Sequence, residues 1–119
     1  MNDMQSYDNV AAGIKRYIAN DLLPVMDPGM QIAVGIGARY ILANPDKMIE
    51  AVMAQFPVLG MLGVVDREKR TIDIEGLMPA AIDQAKEVGG YKIPLGAHQL
   101  TIPPEDIEKI HRYIMQGGA

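Results

Sequence analysis

The residues that could do chemistry in this 119-residue chain are few, and most have an ordinary structural use. Glu108 and His111 stand three apart, the spacing that sets both side chains on one helical face in carboxylate-bridged metal sites. Such a site needs a second pair and further carboxylates, and the chain holds only two histidines. His111 is therefore expected as a half-buried histidine on a packed stripe, and no metal or cofactor is expected. His98 falls beside a hairpin turn and reads as a polar rim residue. Asp66 and Asp73 flank one loop, where a carboxylate pair could serve as acid and base. Aspartate is also common at turn starts and helix N-caps, for its own hydrogen bonds, and that is the use expected here. Ser6, the only serine, reads as an N-cap rather than a nucleophile. Gly35-Ile36-Gly37 lacks the preceding strand and the further glycine or lysine of a phosphate loop. No catalytic residue is expected.

Residues suited to contact are easier to find. Arg67, Lys69 and Arg70 cluster on one loop and could meet phosphate or an acidic partner, with a solvated loop as the plainer account. Nine methionines are many for this length. Met30, Met48, Met53 and Met78 fall on core stripes, which leaves Met26, Met61 and Met115 as candidates for an adaptable contact surface. Gly29, Ala33 and Gly37 recur every fourth residue in an apolar segment and form a strip against which another helix could lie closely.

Composition closes several other routes. The absence of cysteine removes disulfides, thiol catalysis and thiolate metal sites. A net charge of −4 argues against non-specific nucleic-acid binding, as does an aromatic content of one Phe and five Tyr without Trp. Residues 1–60 carry six acids and four bases and residues 61–119 nine and seven, so neither half forms a charged arm. Ala51 to Val65 has no charge but is broken by Pro57, Gly60 and Gly63, and no membrane span is expected. Met1-Asn2-Asp3-Met4-Gln5 has neither the cationic start nor the apolar run of a signal peptide. A cytoplasmic location is expected.

The elements that must position these residues follow from hydrophobic period. Tyr7, Val10, Ala11, Ile14, Tyr17, Ile18 and Leu22 form one helical stripe, capped by Ser6 and stopped by Pro24. Gly29 to Ala43 is apolar nearly all the way round, a helix that lies in mid-core or at a subunit interface. Asn44 caps a third helix, with Pro45 at its first position and Met48, Ile49, Val52, Met53 and Phe56 on its buried face. Val58 to Leu62 is open between a short helical turn and a strand, and Gly60 and Gly63 favour the turn. Beyond Gly63 the period shortens. Val64 to Asp66 and Thr71 to Asp73 make a hairpin with a four-residue loop. A fourth helical stripe from Leu77 to Ala85 contains Pro79, which should kink it unless the helix begins there. In Tyr91 to Ile102 a Gly96-Ala97 turn pairs Leu95 with His98, Ile93 with Leu100 and Tyr91 with Ile102. A last helix starts at Pro104 and runs along Ile107, Ile110, His111 and Ile114.

The sum is an α+β fold in one domain over residues 1–119, mainly helical over 1–62 and mixed over 63–119. It has an N-terminal three-helix part, then two small antiparallel hairpins alternating with two helices.

Several short stretches also carry a resemblance. Lys15-Arg16-Tyr17-Ile18 through Asp21-Leu22-Leu23-Pro24, Leu62-Gly63-Val64-Val65-Asp66 with Ile72-Asp73-Ile74, and Ile93-Pro94 with Leu100-Thr101 and Asp106-Ile107 through Arg112-Tyr113-Ile114 are the residues concerned. Together they resemble small uncharacterised proteins of tailed-phage and prophage gene clusters in Gram-positive bacteria. Pro79 and the Arg67 to Arg70 loop depart from that pattern. The resemblance implies no catalytic residues. It implies a phage-associated accessory role rather than metabolism, in the host cytoplasm or on the virion. With no convergent nucleophile, base and oxyanion donors in the chain, the expected protein is non-enzymatic, a structural or assembly component that acts through protein contacts, with a copy of itself as one candidate partner. A soluble inhibitor of a host protein is the alternative, and a small enzyme with a carboxylate and histidine site the third. For the Gly29 to Ala43 helix two arrangements satisfy the pattern equally, enclosure by the first, third and last helices or pairing with a second copy.

Overall fold

A computed structural model describes residues 4–55, 57–95 and 97–117. Among these described residues six helices accompany five short strands in two antiparallel sheets, an α+β fold. The chain enters through β1 (Met4–Ser6), whose last residue turns directly into α1 (Tyr7–Tyr17). Ser6 Oγ accepts from the Asn9 backbone N–H at 3.0 Å, the N-cap bond that its type and place suggest. Past Tyr17 the backbone widens into a π turn over Ile18–Leu22 and then tightens into a 3₁₀ turn, Leu23–Val25, around Pro24. The helical stripe thus reaches Leu22, with a change of pitch near its end.

α2 spans Pro28–Leu42, one residue earlier than the hydrophobic run suggests. Asp27 supplies the N-cap, accepting from the Met30 N–H at 2.9 Å, and Pro28 takes the first position, where its missing N–H costs nothing. Gln31 adds bonds from Nε2 to the Leu23 and Met26 carbonyls, which pins the start of α2 to the preceding turn. Asn44 caps α3 (Pro45–Gln55) through the Lys47 N–H at 3.2 Å. Phe56, expected on the buried face of α3, lies outside the described residues. Val58–Leu62 forms the short helix α4, ended by Gly63.

The first hairpin is β2 (Val65–Asp66) with β3 (Thr71–Asp73), joined by the four-residue loop 67–70. Val65 faces Ile72 and Asp66 faces Thr71. β1 adds to the free side of β3 with Gln5 opposite Ile72, so β3 is the centre of three strands rather than half of a hairpin. Nothing in Met-Gln-Ser announces a strand by alternation. Its partner lies more than half the chain away.

α5 (Ile74–Val88) follows β3 without a break, capped by Asp73 Oδ1 on the Gly76 N–H at 3.1 Å. Pro79 sits inside it, and the helix continues through that position. Ile74 to Met78 is part of the helix rather than a separate lead-in turn. Pro79 is the sixth residue of α5, past the four N–H groups a helix start leaves free, so its ring removes the bond that position would make to the Glu75 carbonyl.

β4 (Tyr91–Leu95) and β5 (His98–Ile102) pair in the expected register, Tyr91 with Ile102, Ile93 with Leu100 and Leu95 with His98. Gly96 of the expected turn lies outside the described residues. α6 (Pro104–Gly117) completes the chain.

Two apolar clusters hold these elements. Tyr7, Val10, Ala11, Met48, Ile49, Ile72, Ile74 and Ile114 form the first, and Tyr17, Leu22, Val34 and Leu100 the second. α1 belongs to both. Its partner is α6, which runs antiparallel to it at very short range. A Cβ placed on Gly13 would stand 2.5 Å from Ile114 Cγ1 and 2.7 Å from its Cα. The glycine lets the two backbones meet. Side chains of α1 then satisfy carbonyls near the end of α6: Asn9 Nδ2 donates to Ile114 O at 3.1 Å and Arg16 Nη2 to Tyr113 O at 2.6 Å. At the other end of the seam the buried Tyr17 hydroxyl donates to Asp106 Oδ2 at 2.6 Å. Burial, with that carboxylate beside it, holds the Tyr17 hydroxyl well above the usual tyrosine range.

Among the described residues no helix is long and apolar enough to cross a membrane.

Candidate functional site

The carboxylates that could have done chemistry are engaged in local backbone bonds. Asp66 Oδ1 accepts from the Lys69 N–H at 3.1 Å, opening the loop, and Asp73 caps α5. His111 Nε2 lies 2.7 Å from Glu75 Oε1, tying α6 to α5. Its partner is thus across the helix pair, not Glu108 on its own helix, which is exposed. Among the described residues no three metal-ligating side chains come together. His98 is exposed and lies beside the start of α2, its Cε1 4.0 Å from where a Gly29 Cβ would be.

The basic loop meets acids of its own chain. Arg67 makes a two-pronged contact with Glu50 of α3, Nε to Oε2 at 2.9 Å and Nη2 to Oε1 at 3.1 Å. This guanidinium holds the Glu50 carboxyl below its usual range. Arg70 reaches Asp46 of α3 at 2.7 Å and Asp8 of α1 at 3.6 Å, and its guanidinium stands 5.6 Å from the centre of the Tyr7 ring. The Arg70 backbone is left-handed, at φ 53°, and its carbonyl accepts from the Tyr7 N–H. The loop thus clamps the small sheet onto α1 and α3. Sequence alone offered phosphate, an acidic partner or solvent. The acids on α1 and α3 that meet the loop stand too far along the chain for local spacing to pair them with it.

The methionines divide. Met30, Met53 and Met78 pack against the two clusters and Met48 is buried. Met26 and Met115 are half-buried against the second and first clusters, and Met115 Sδ accepts from Gln5 Nε2. Met61, on α4, is 86 % exposed.

What remains open is the outer side of α2. The helix rests one side on α1, α3 and the β4–β5 hairpin, and its only buried residue is Val34. Ile32, Ile36 and Tyr40 expose 65, 67 and 70 % of their surface. Each is four residues from the next, so at about 100° per residue they stand along one arc of about 80°. Gly29 and Ala43 fall within that arc and are exposed as well. Enclosure by the first, third and last helices is therefore not what happens: α1 and α3 reach α2, and one face stays uncovered. The close approach expected along Gly29, Ala33 and Gly37 is absent at Gly29, and the neighbouring Gly35 is open as well. A Cβ on Gly29 would meet only Asp27 Oδ1 at 3.3 Å and His98, and one on Gly35 would meet nothing within 4 Å.

Two shallow features border the described surface. A groove of about 320 Å³ lies between α1 and the α2–α3 junction, with Ala11, Ala12, Leu42, Ala43 and Pro45 between Asp8 and Lys15. Since Ala43 belongs to both, the groove continues the exposed face of α2. A polar cleft of about 180 Å³ on α6 mixes Lys109 and Arg112 with Asp21. It is smaller than the cavities that enclose small ligands. Compared with protein-family models, curated proteins and solved structures, the chain matches none.

Proposed function

We propose that this protein works without catalysis, by protein contact, as a phage- or prophage-associated structural or assembly component whose contact surface is the outer face of α2. The observation that carries this reading is the exposure of Ile32, Ile36 and Tyr40 on a helix with no acid and a single base, Arg39. Three large apolar side chains on one arc expose about 400 Å², within the range of the largest patch on a typical monomer and often a functional one. The resemblance of the short motifs to phage-cluster proteins agrees with an accessory role. The engagement of Asp66, Asp73, Arg67 and Arg70 in holding the fold also supports it, since those are the groups a site for chemistry would need free.

The test is retention of virion and host proteins on the immobilised chain, wild type against Ile36→Asp. Ile36 is exposed, so the variant keeps its fold by circular dichroism, and retention falls at least tenfold if this face is the contact. Equal retention by both forms places the contact elsewhere and overturns the assignment.

A further inference from the structure

We infer that the outer face of α2 pairs with the same face of a second copy, antiparallel about a two-fold axis at Ile36. This rests on the reading of that face as a protein contact and names its partner.

A two-fold pairing needs a surface that complements itself, because each residue meets one equally far on the other side of the axis. About Ile36, Ile32 meets Tyr40 and Gly29 meets Ala43, so all five exposed positions of the arc pair among themselves. Arg39, on the rim of the arc beside Ile32, is the one charged side chain of α2 near this face. The Tyr40 ring covers the partner's Ile32 and overhangs its Gly29, where the missing side chain leaves space. Gly29 is open outward, since its Cβ would touch only Asp27 and His98.

Charge selects the antiparallel direction. Asp27 caps the start of α2, while Arg39 lies in its last turn and Lys47, 5.9 Å from the Tyr40 ring centre, stands beyond its end. Parallel helices would set acid against acid and base against base. Antiparallel helices bring each Asp27 towards the far end of the other copy's α2, where Lys47 stands beside an Asp46 already paired with Arg70, and oppose the two helix dipoles.

The area is also adequate. With Gly29 and Ala43 inside it and Ala33 and Arg39 at its edges the face offers about 500 Å² per copy, so pairing hides at most about 1,000 Å² in all, the lower bound for a specific interface. The chain exposes 7130 Å², whereas a closely packed monomer of 13.0 kDa exposes about 6,400 Å². The surplus, about 700 Å², is more than this face alone exposes, and Val25, Met61 and Leu62 also contribute to it. Such a dimer is weak, with a dissociation constant of about 10 to 100 µM.

The natural absence of cysteine makes the geometry directly testable. Light scattering across a dilution series should give the mass of two chains at several hundred micromolar, falling towards that of one chain on dilution. Ile36→Asp should weaken pairing at least a hundredfold with an unchanged circular dichroism spectrum. Mild oxidation of Ile36→Cys should yield a covalent dimer with itself, because that position faces its own copy. Ala43→Cys should not, yet should cross-link in a mixture with Gly29→Cys. A wild type that keeps the mass of a single chain throughout overturns the pairing, and if Ile36→Asp still abolishes retention of another protein, the contact reading stands alone. A dimer unaffected by Ile36→Asp, or Ala43→Cys linking to itself as fast as Ile36→Cys, overturns both this axis and this face.

Discussion

α1 and α2 stand next to each other and invert the usual relation between apolar content and burial. α1 carries Asp8, Asn9, Lys15 and Arg16 in 11 residues, yet buries Tyr7, Val10, Ala11, Gly13 and Tyr17. α2 carries one charge in 15 residues and buries Val34 alone. The difference lies in arrangement. The apolar residues of α1 keep one face, which two clusters and α6 can cover together, while those of α2 face every way, and a chain of this length has too few helices to enclose it. Glycine divides the same way. At Gly13 the missing side chain admits the Ile114 backbone, whereas at Gly35 nothing comes near.

The sharpest way to break this comparison is to fill both glycines. Gly13→Ala should cost about 3 kcal/mol in urea denaturation, because its Cβ would overlap the backbone of Ile114 and force α1 and α6 apart. A neutral result would mean that the α1–α6 seam is looser than its geometry. Tyr17→Phe, at the far end of the seam, should cost about 2 kcal/mol by leaving Asp106 without its buried donor. Lys109, 3.5 Å from Asp106, limits the loss. On the other helix Gly35→Ala should add up to about 1 kcal/mol, since alanine is the better helix former and its methyl group meets nothing. Destabilisation there would show that α2 is covered after all.

A smaller effect distinguishes the buried side of the molecule by pH. The Tyr91 hydroxyl donates to Ala81 O at 2.6 Å, and burial pushes it up to about 12. The unfolded chain releases that proton near pH 10, and the folded chain holds it. The contribution of this group is therefore complete below pH 10 and is lost as pH rises towards 12, as thermal melts across that range would record. Tyr91→Phe should flatten the alkaline decline.

Much of the local structure was legible. Ser6, Asn44 and Asp73 cap helices because a short oxygen-bearing side chain reaches a backbone N–H two or three residues on, which needs no distant part of the chain. Asp27 and Pro28 carry the same signal for α2, one that the hydrophobic run beginning just after them obscures. The register of β4 with β5 followed from a two-residue turn and strict alternation, both local. The exposed face of α2 was legible only as an apolar segment: the strip Gly29, Ala33, Gly37 lies in the same helix, but the exposed arc is centred on Ile36.

By itself, then, the sequence determined which stretches are helix or hairpin and where most of them are capped, because those outcomes rest on interactions within a few residues. Only the tertiary structure decided that β1 joins β3, that Arg67 and Arg70 find Glu50, Asp46 and Asp8, that Gly13 is the point of close contact, and that α2 keeps one face open. Each of those depends on which distant segments share a surface and on how much apolar area the rest of the chain has left to cover, and periodicity along one helix contains neither quantity.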